Sequence, residues 1–176
     1  MLRDARLDAL LRYWSEQRNG SPLPPRSAID PLDMPTEVLP FLMLVDVIPA
    51  GERRRYRYRL FGTEMVIAAK GDMTWRFLDE CVPEKDGYRD YILALYESLV
   101  QERRPLYSTG DFLAHAAPGT LERSTQRLML PLGTPEDGVT HVLAGQILTA
   151  HVQVEGHPMH SAALYREHAH RFLQID

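Results

Sequence analysis

From Arg53 to Leu60 the chain alternates. Arg53, Arg55, Arg57 and Arg59 fall on one parity, and Tyr56, Tyr58 and Leu60 on the other. A period of two puts the two sets on opposite sides of an extended backbone, which predicts a half-buried strand over residues 53–60. Gly62 and Thr63 break the pattern, and Met65, Val66 and Ile67 then open a denser apolar run that suits a short helix over 63–69. Just upstream, Phe41 to Ile48 is apolar except at Asp46. Such a run predicts a strand covered on both faces, central in its sheet and joined to the arginine strand by the turn Pro49 to Glu52.

Helical spacing appears twice. Leu7, Leu10, Leu11 and Trp14 stand at i, i+3, i+4 and i+7, with Asp4 as N-cap and Gly20 as stop, so residues 5–18 predict an amphipathic helix. Tyr88, Tyr91, Ile92, Leu95, Tyr96 and Leu99 share one face of a second helix over 87–102. Asp30 and Pro31 read as an N-cap and first helical residue, with a second short turn from Pro35 to Leu39, and residues 70–80 read as loop and helical turn. Three further strands are expected at 106–114, 122–131 and 140–149, separated by Pro118-Gly119 and by the Gly133 to Gly138 turn. This order predicts an α+β fold: a five-stranded antiparallel sheet with the middle helices on one face and an amphipathic N-terminal helix. It divides the chain into a helix and linker (1–28), a core domain (29–150) and a partly helical C-terminal tail (151–176).

Composition narrows the function classes. The 176 residues are 44% hydrophobic and 25% charged, enough for one core, and the net charge of −4 argues against a general nucleic-acid binder. The single cysteine, Cys81, cannot close an internal disulfide, and no apolar run approaches the roughly 20 residues that cross a bilayer. With no secretion-signal pattern at the start, the expectation is a cytoplasmic protein that does not engage membranes. The arginine stripe could track a phosphate backbone, but an evenly charged strand more often protects a sheet face or edge.

Several segments together resemble a PAS domain, and more narrowly a family of stand-alone bacterial PAS proteins common in alphaproteobacteria. They are Tyr13-Trp14, Arg18-Asn19-Gly20, Pro25-Arg26, Ile29-Asp30-Pro31, Leu39-Pro40, Tyr58 to Thr63, and Leu128 to Leu132. The resemblance implies a sensor or adaptor that binds a small molecule or a partner protein between sheet and helices. It also implies dimerisation through the N-terminal helix, and signalling by contact with a protein partner. The family commonly has glycine after threonine where this chain has Thr74-Trp75-Arg76, so Trp75 is expected to fill or reshape the pocket mouth.

On that reading Tyr56, Tyr58, Trp75, Tyr96, Gln126, Leu128 and Gln146 are the candidate ligand-binding residues, combining aromatic walls with a few hydrogen-bonding tips. Leu7, Leu10, Leu11 and Trp14 are the candidate homodimer interface, expected to meet a partner subunit or to cap the sheet's outer face. No catalytic residue and no metal site is assigned, and the cofactor is left unknown. Five of the seven histidines, His151, His157, His160, His168 and His170, lie in the tail at spacings that match no metal motif. The 87–102 helix has no histidine, so a haem would need His115 or His141, and Cys81 does not sit in a flavin-photosensor motif. The alternative is a small cone-fold lyase or isomerase using Asp111 and His115 as an acid–base pair. That spacing is not diagnostic, because positions i and i+4 of a strand stand about 13 Å apart.

Overall fold

Leu42, Met43, Leu44 and Val45 are all buried, and four successive buried residues can belong to a strand only if both its faces are covered. In the computed structural model, which describes residues 2–82, 84, 87–114, 122–150 and 162–175, they begin strand β1 (Leu42–Ala50). This strand pairs on one side with β2 (Arg53–Phe61) and on the other with β5 (Gly138–Ala150). With β3 (Leu106–Ala114), β4 (Glu122–Thr134) and β6 (Ala162–Phe172) it forms one antiparallel sheet of order β2-β1-β5-β4-β3-β6. The expected first strand is therefore flanked on both sides, but β5 and β4 take the centre.

The sheet has six strands, not five. Residues 162–172, read from sequence as part of a partly helical tail, pair antiparallel with β3 instead. The register jumps from Thr109↔Ala169 to Gly110↔Glu167, so β6 carries an extra residue at His168 and its alternation is interrupted there. Tail positions 151–161 and 176 lie outside the described residues.

Helices α1 (Ala5–Gln17), α2 (Thr63–Ala69), α3 (Leu78–Cys81) and α4 (Tyr88–Glu102) fall close to the predicted spans. Asp4 caps α1, its carboxylate accepting the Arg6 N–H at 2.9 Å. Asp30 caps only a turn, accepting from the Leu32 N–H, and a 3₁₀ segment (Thr36–Phe41) leads into β1. Among the described residues no helix is long and apolar enough to cross a membrane.

Helices cover both faces of the sheet. On one face α1 lies over β4 and β5, where Leu7 and Leu10 come so close to Gly145 that a Cβ there would stand 2.8 and 2.9 Å from their methyl carbons. Trp14, also buried, donates its indole N–H to the Pro131 carbonyl at 2.9 Å. Of the two roles open to the apolar stripe, capping the sheet is the one seen within the chain: Leu7, Leu10 and Trp14 are covered by its own sheet, and Leu11 is half-buried. The physical reason is local. Leu128, Leu130, Leu132 and Leu143 make that sheet face apolar, and the tethered helix covers it without the entropy loss of recruiting a second molecule. On the other face α4 packs Leu95, Tyr96 and Leu99 towards the sheet, with the Tyr56 and Tyr96 rings 5.0 Å apart.

Gly145→Val is expected to push α1 off the sheet and cost about 1–3 kcal/mol through overpacking. Trp14→Ala should cost about 3–5 kcal/mol. Urea denaturation reads both, and earlier proteolysis after α1 in the Gly145 variant identifies the detached element.

Candidate functional site

Strand alternation decides which side chains meet α4. Arg127 of β4 faces it, because its Nη2 donates to the Tyr88 hydroxyl at 3.2 Å while its Nε donates to Gln146 Oε1 at 3.2 Å. Thr125 and Met129 share this parity on β4, Ser108 is the register partner of Arg127 on β3, and Gln146 is its partner on β5. Ser108, Thr125, Arg127 and Gln146 thus form a polar row across three strands, each 5% exposed or less. The hydroxyls of Ser108 and Thr125 are buried and have no hydrogen-bond partner among the described residues. Burying an unsatisfied hydroxyl costs on the order of 1–3 kcal/mol, so two such groups on one sheet face call for a functional explanation.

An aromatic wall flanks this row. On β2, Tyr56 and Tyr58 face α4, opposite Val47 and Val45 of β1. Tyr56 donates its hydroxyl to Glu97 of α4 at 2.9 Å, and burial together with that carboxylate pushes its phenol up. Burial also drives the Tyr58 phenol well above its ordinary range, with Tyr96 and Tyr88 adding to the shift and Arg127 opposing it. For Tyr96 burial dominates in the same way, and the phenol is pushed up to about 12 against the pull of Arg127. Further along α4, Tyr91 donates to Glu167 of β6 at 3.1 Å, and His170 contacts the same carboxylate oxygen.

The opposite face of β1 and β2 carries a second charged cluster. Asp46, nearly buried, accepts from Arg57 at 2.9 Å and Arg59 at 2.7 Å, with His141 at 3.5 Å. Burial pushes the Asp46 carboxyl up, but the hydrogen bonds from Arg59 and Arg57 outweigh it and hold the group below its ordinary value. Burial lowers His141, which Asp46 opposes. Arg55 pairs with Asp79 and Glu80 and lies 3.6 Å above the Phe77 ring. Three arginines of the stripe are therefore engaged within the chain.

Residues 2–148 match the sequence model of a family described as PAS domain, which covers most of the chain. The chain belongs to the PAS domain family. No curated protein and no solved structure gives a significant match. PAS domains are generally sensory and signalling modules, so the family places this chain in signalling.

Within this PAS domain the candidate ligand residues separate into three groups. Tyr56, Tyr58, Tyr96 and Gln146 come together on the α4 side of the sheet. Gln126 and Leu128 have the other parity. Leu128 is the register partner of Gly145 beneath α1, and Gln126 accepts the Tyr107 hydroxyl at 2.9 Å, so both stand apart from the polar row. Trp75 is 59% exposed and lies beside Arg57 and Arg59, with ring distances of 5.6 and 5.4 Å. It stands on the outside of the β2 edge and does not join the α4-side group.

Asp111 accepts from Ser124 on the face opposite Arg127, and His115 lies outside the described residues, so the acid–base pair is not assembled among them. No group of three or more metal-ligating side chains is found among the described residues. Sequence reasoning missed Ser108, Thr125, Arg127 and Tyr88. The available signal was the parity Thr125, Arg127, Met129, in which a charged residue sits inside an otherwise buried strand.

Stability is expected to hold up to about pH 10, where free tyrosine titrates, and to fall above it. An unfolded phenol releases its proton there, while Tyr58 and Tyr96 keep theirs in the fold, so rising pH favours the unfolded chain. Urea titrations from neutral to alkaline pH read the slope, which Tyr96→Phe should flatten.

Proposed function

We propose that this PAS domain is a sensor or adaptor that takes a small molecule between α4 and the facing side of the sheet, and passes its occupancy on by contact with a partner protein. It works by binding and not by turnover. The observation that carries this reading is the pair of buried hydroxyls on Ser108 and Thr125, unpartnered among the described residues, beside Arg127 and Gln146. A core selected only for stability would place alanine and valine there, since an apolar group of similar shape avoids the desolvation cost.

A route for the signal follows from the ties that hold α4. The helix is bonded to β4 through Tyr88 and Arg127, to β2 through Glu97 and Tyr56, and to β6 through Tyr91 and Glu167. A molecule lodged under α4 has to strain or re-form these bonds. A shift of the helix then reaches both outer strands, β2 and β6.

Native mass spectrometry of freshly purified protein, compared with the denatured chain, tests the proposal. A small molecule held by the folded chain and lost on denaturation is expected. The Ser108→Ala/Thr125→Val double variant should lose that molecule while its unliganded stability stays equal or rises by about 1 kcal/mol per hydroxyl. A double variant markedly less stable than the parent, with no retained mass in either protein, would assign the two hydroxyls to the core alone.

A further inference from the structure

We infer that the molecule received under α4 is a small organic acid, its carboxylate bridging the hydroxyls of Ser108 and Thr125 within reach of the Arg127 guanidinium. The inference rests on the binding reading above and adds the ligand's chemical class. Three features of the polar row lead to it. First, a hydroxyl can donate one hydrogen, and an ionised carboxylate is an acceptor on both oxygens, so one carboxylate satisfies Ser108 and Thr125 together.

Second, the spacing suits a bridge. Ser108 lies directly opposite Arg127 in the β3–β4 register, and Thr125 is two positions along the same face of β4. Diagonal neighbours of this kind stand about 7 Å apart on a sheet. With a hydrogen bond of about 2.7 Å on each side, the two oxygens of a single carboxylate span that gap.

Third, the charge is already oriented. Gln146 and Tyr88 accept from two nitrogens of Arg127 and fix its guanidinium plane on the same face as the two hydroxyls. A bond from an ionised donor to an ionised acceptor is roughly twice as strong as one between neutral groups. A neutral amide or alcohol could use the hydroxyls but would gain little from the cation. The rest of the molecule meets Met129, Val45 and the rings of Tyr58 and Tyr96, all on the α4 side, so an apolar or aromatic body completes the fit.

Calorimetry on the full chain with benzoate, phenylacetate and hexanoate, each beside its primary amide, provides the test. The acids are expected to bind and to raise the melting temperature, and the amides to bind at least about tenfold more weakly. Ser108→Ala/Thr125→Val should weaken acid binding about tenfold or more. Arg127→Met should abolish the preference for acid over amide. Circular dichroism checks folding, and the hydroxyl pair keeps the test decisive if the arginine variant does not fold.

Equal binding of acids and amides overturns the inference, as does acid binding that survives in the double hydroxyl variant. If neither set binds but native mass spectrometry finds a neutral retained molecule, the acid class falls while the binding reading stands. Failure of both sets with no retained mass overturns the two together.

Discussion

The architecture depends on a sheet whose central strands are apolar on both faces. Leu143 and Ile147 of β5 point one way and Val142 and Ala144 the other, and all four are buried. Neither face can be left to water, so the chain must supply two covers. Helix α1 forms one of them only because Gly145 lacks a side chain where Leu7 and Leu10 come down. With that face closed by tight apolar packing, α4 is left as the cover over which a polar interior can form.

Two internal charges are accommodated in different ways. Asp46 lies near the sheet margin, where two partly exposed arginines reach it, and its ionised form is favoured despite burial. Arg127 lies deeper and is held by the amide of Gln146 and the phenol of Tyr88. The first arrangement closes on itself as an ion-pair network. The second combines a fixed cation with nearby hydroxyls that lack a partner among the described residues, a combination not seen at the more conspicuous arginine strand.

Much of the fold was legible because strands and helices leave local periods. The alternation of Arg57 and Arg59 against Tyr56 and Tyr58, and the 3.6-residue repeat from Tyr88 to Leu99, each occur within a single segment. Strand β6 was not legible, since its partner is β3, far away in sequence, and a bulge at His168 breaks its alternation. The apolar stripe of α1 was visible, but a stripe does not say which surface covers it. The site was read only in part for a related reason. Alternation separates Gln126 from Arg127, yet both parities of β4 contain buried apolar residues, so the pattern could not tell which one looks towards α4.

Trp75 has a consequence for how the sheet comes apart. Its φ of +70° lies in the left-handed region, where glycine is at ease, and there it donates to the Tyr58 carbonyl while Tyr58 donates back to Arg76. A bulky residue in that conformation costs on the order of 1–3 kcal/mol. The two arginines around the indole return about 0.5–1 kcal/mol each at an exposed site. The segment that seals the outer edge of β2 is thus held by opposing terms of similar size, so its local opening free energy falls well below that of the interior strands. Unzipping would then start at Trp75 and run inward through β2, and the hydrogen bonds of β5 would be the last to open.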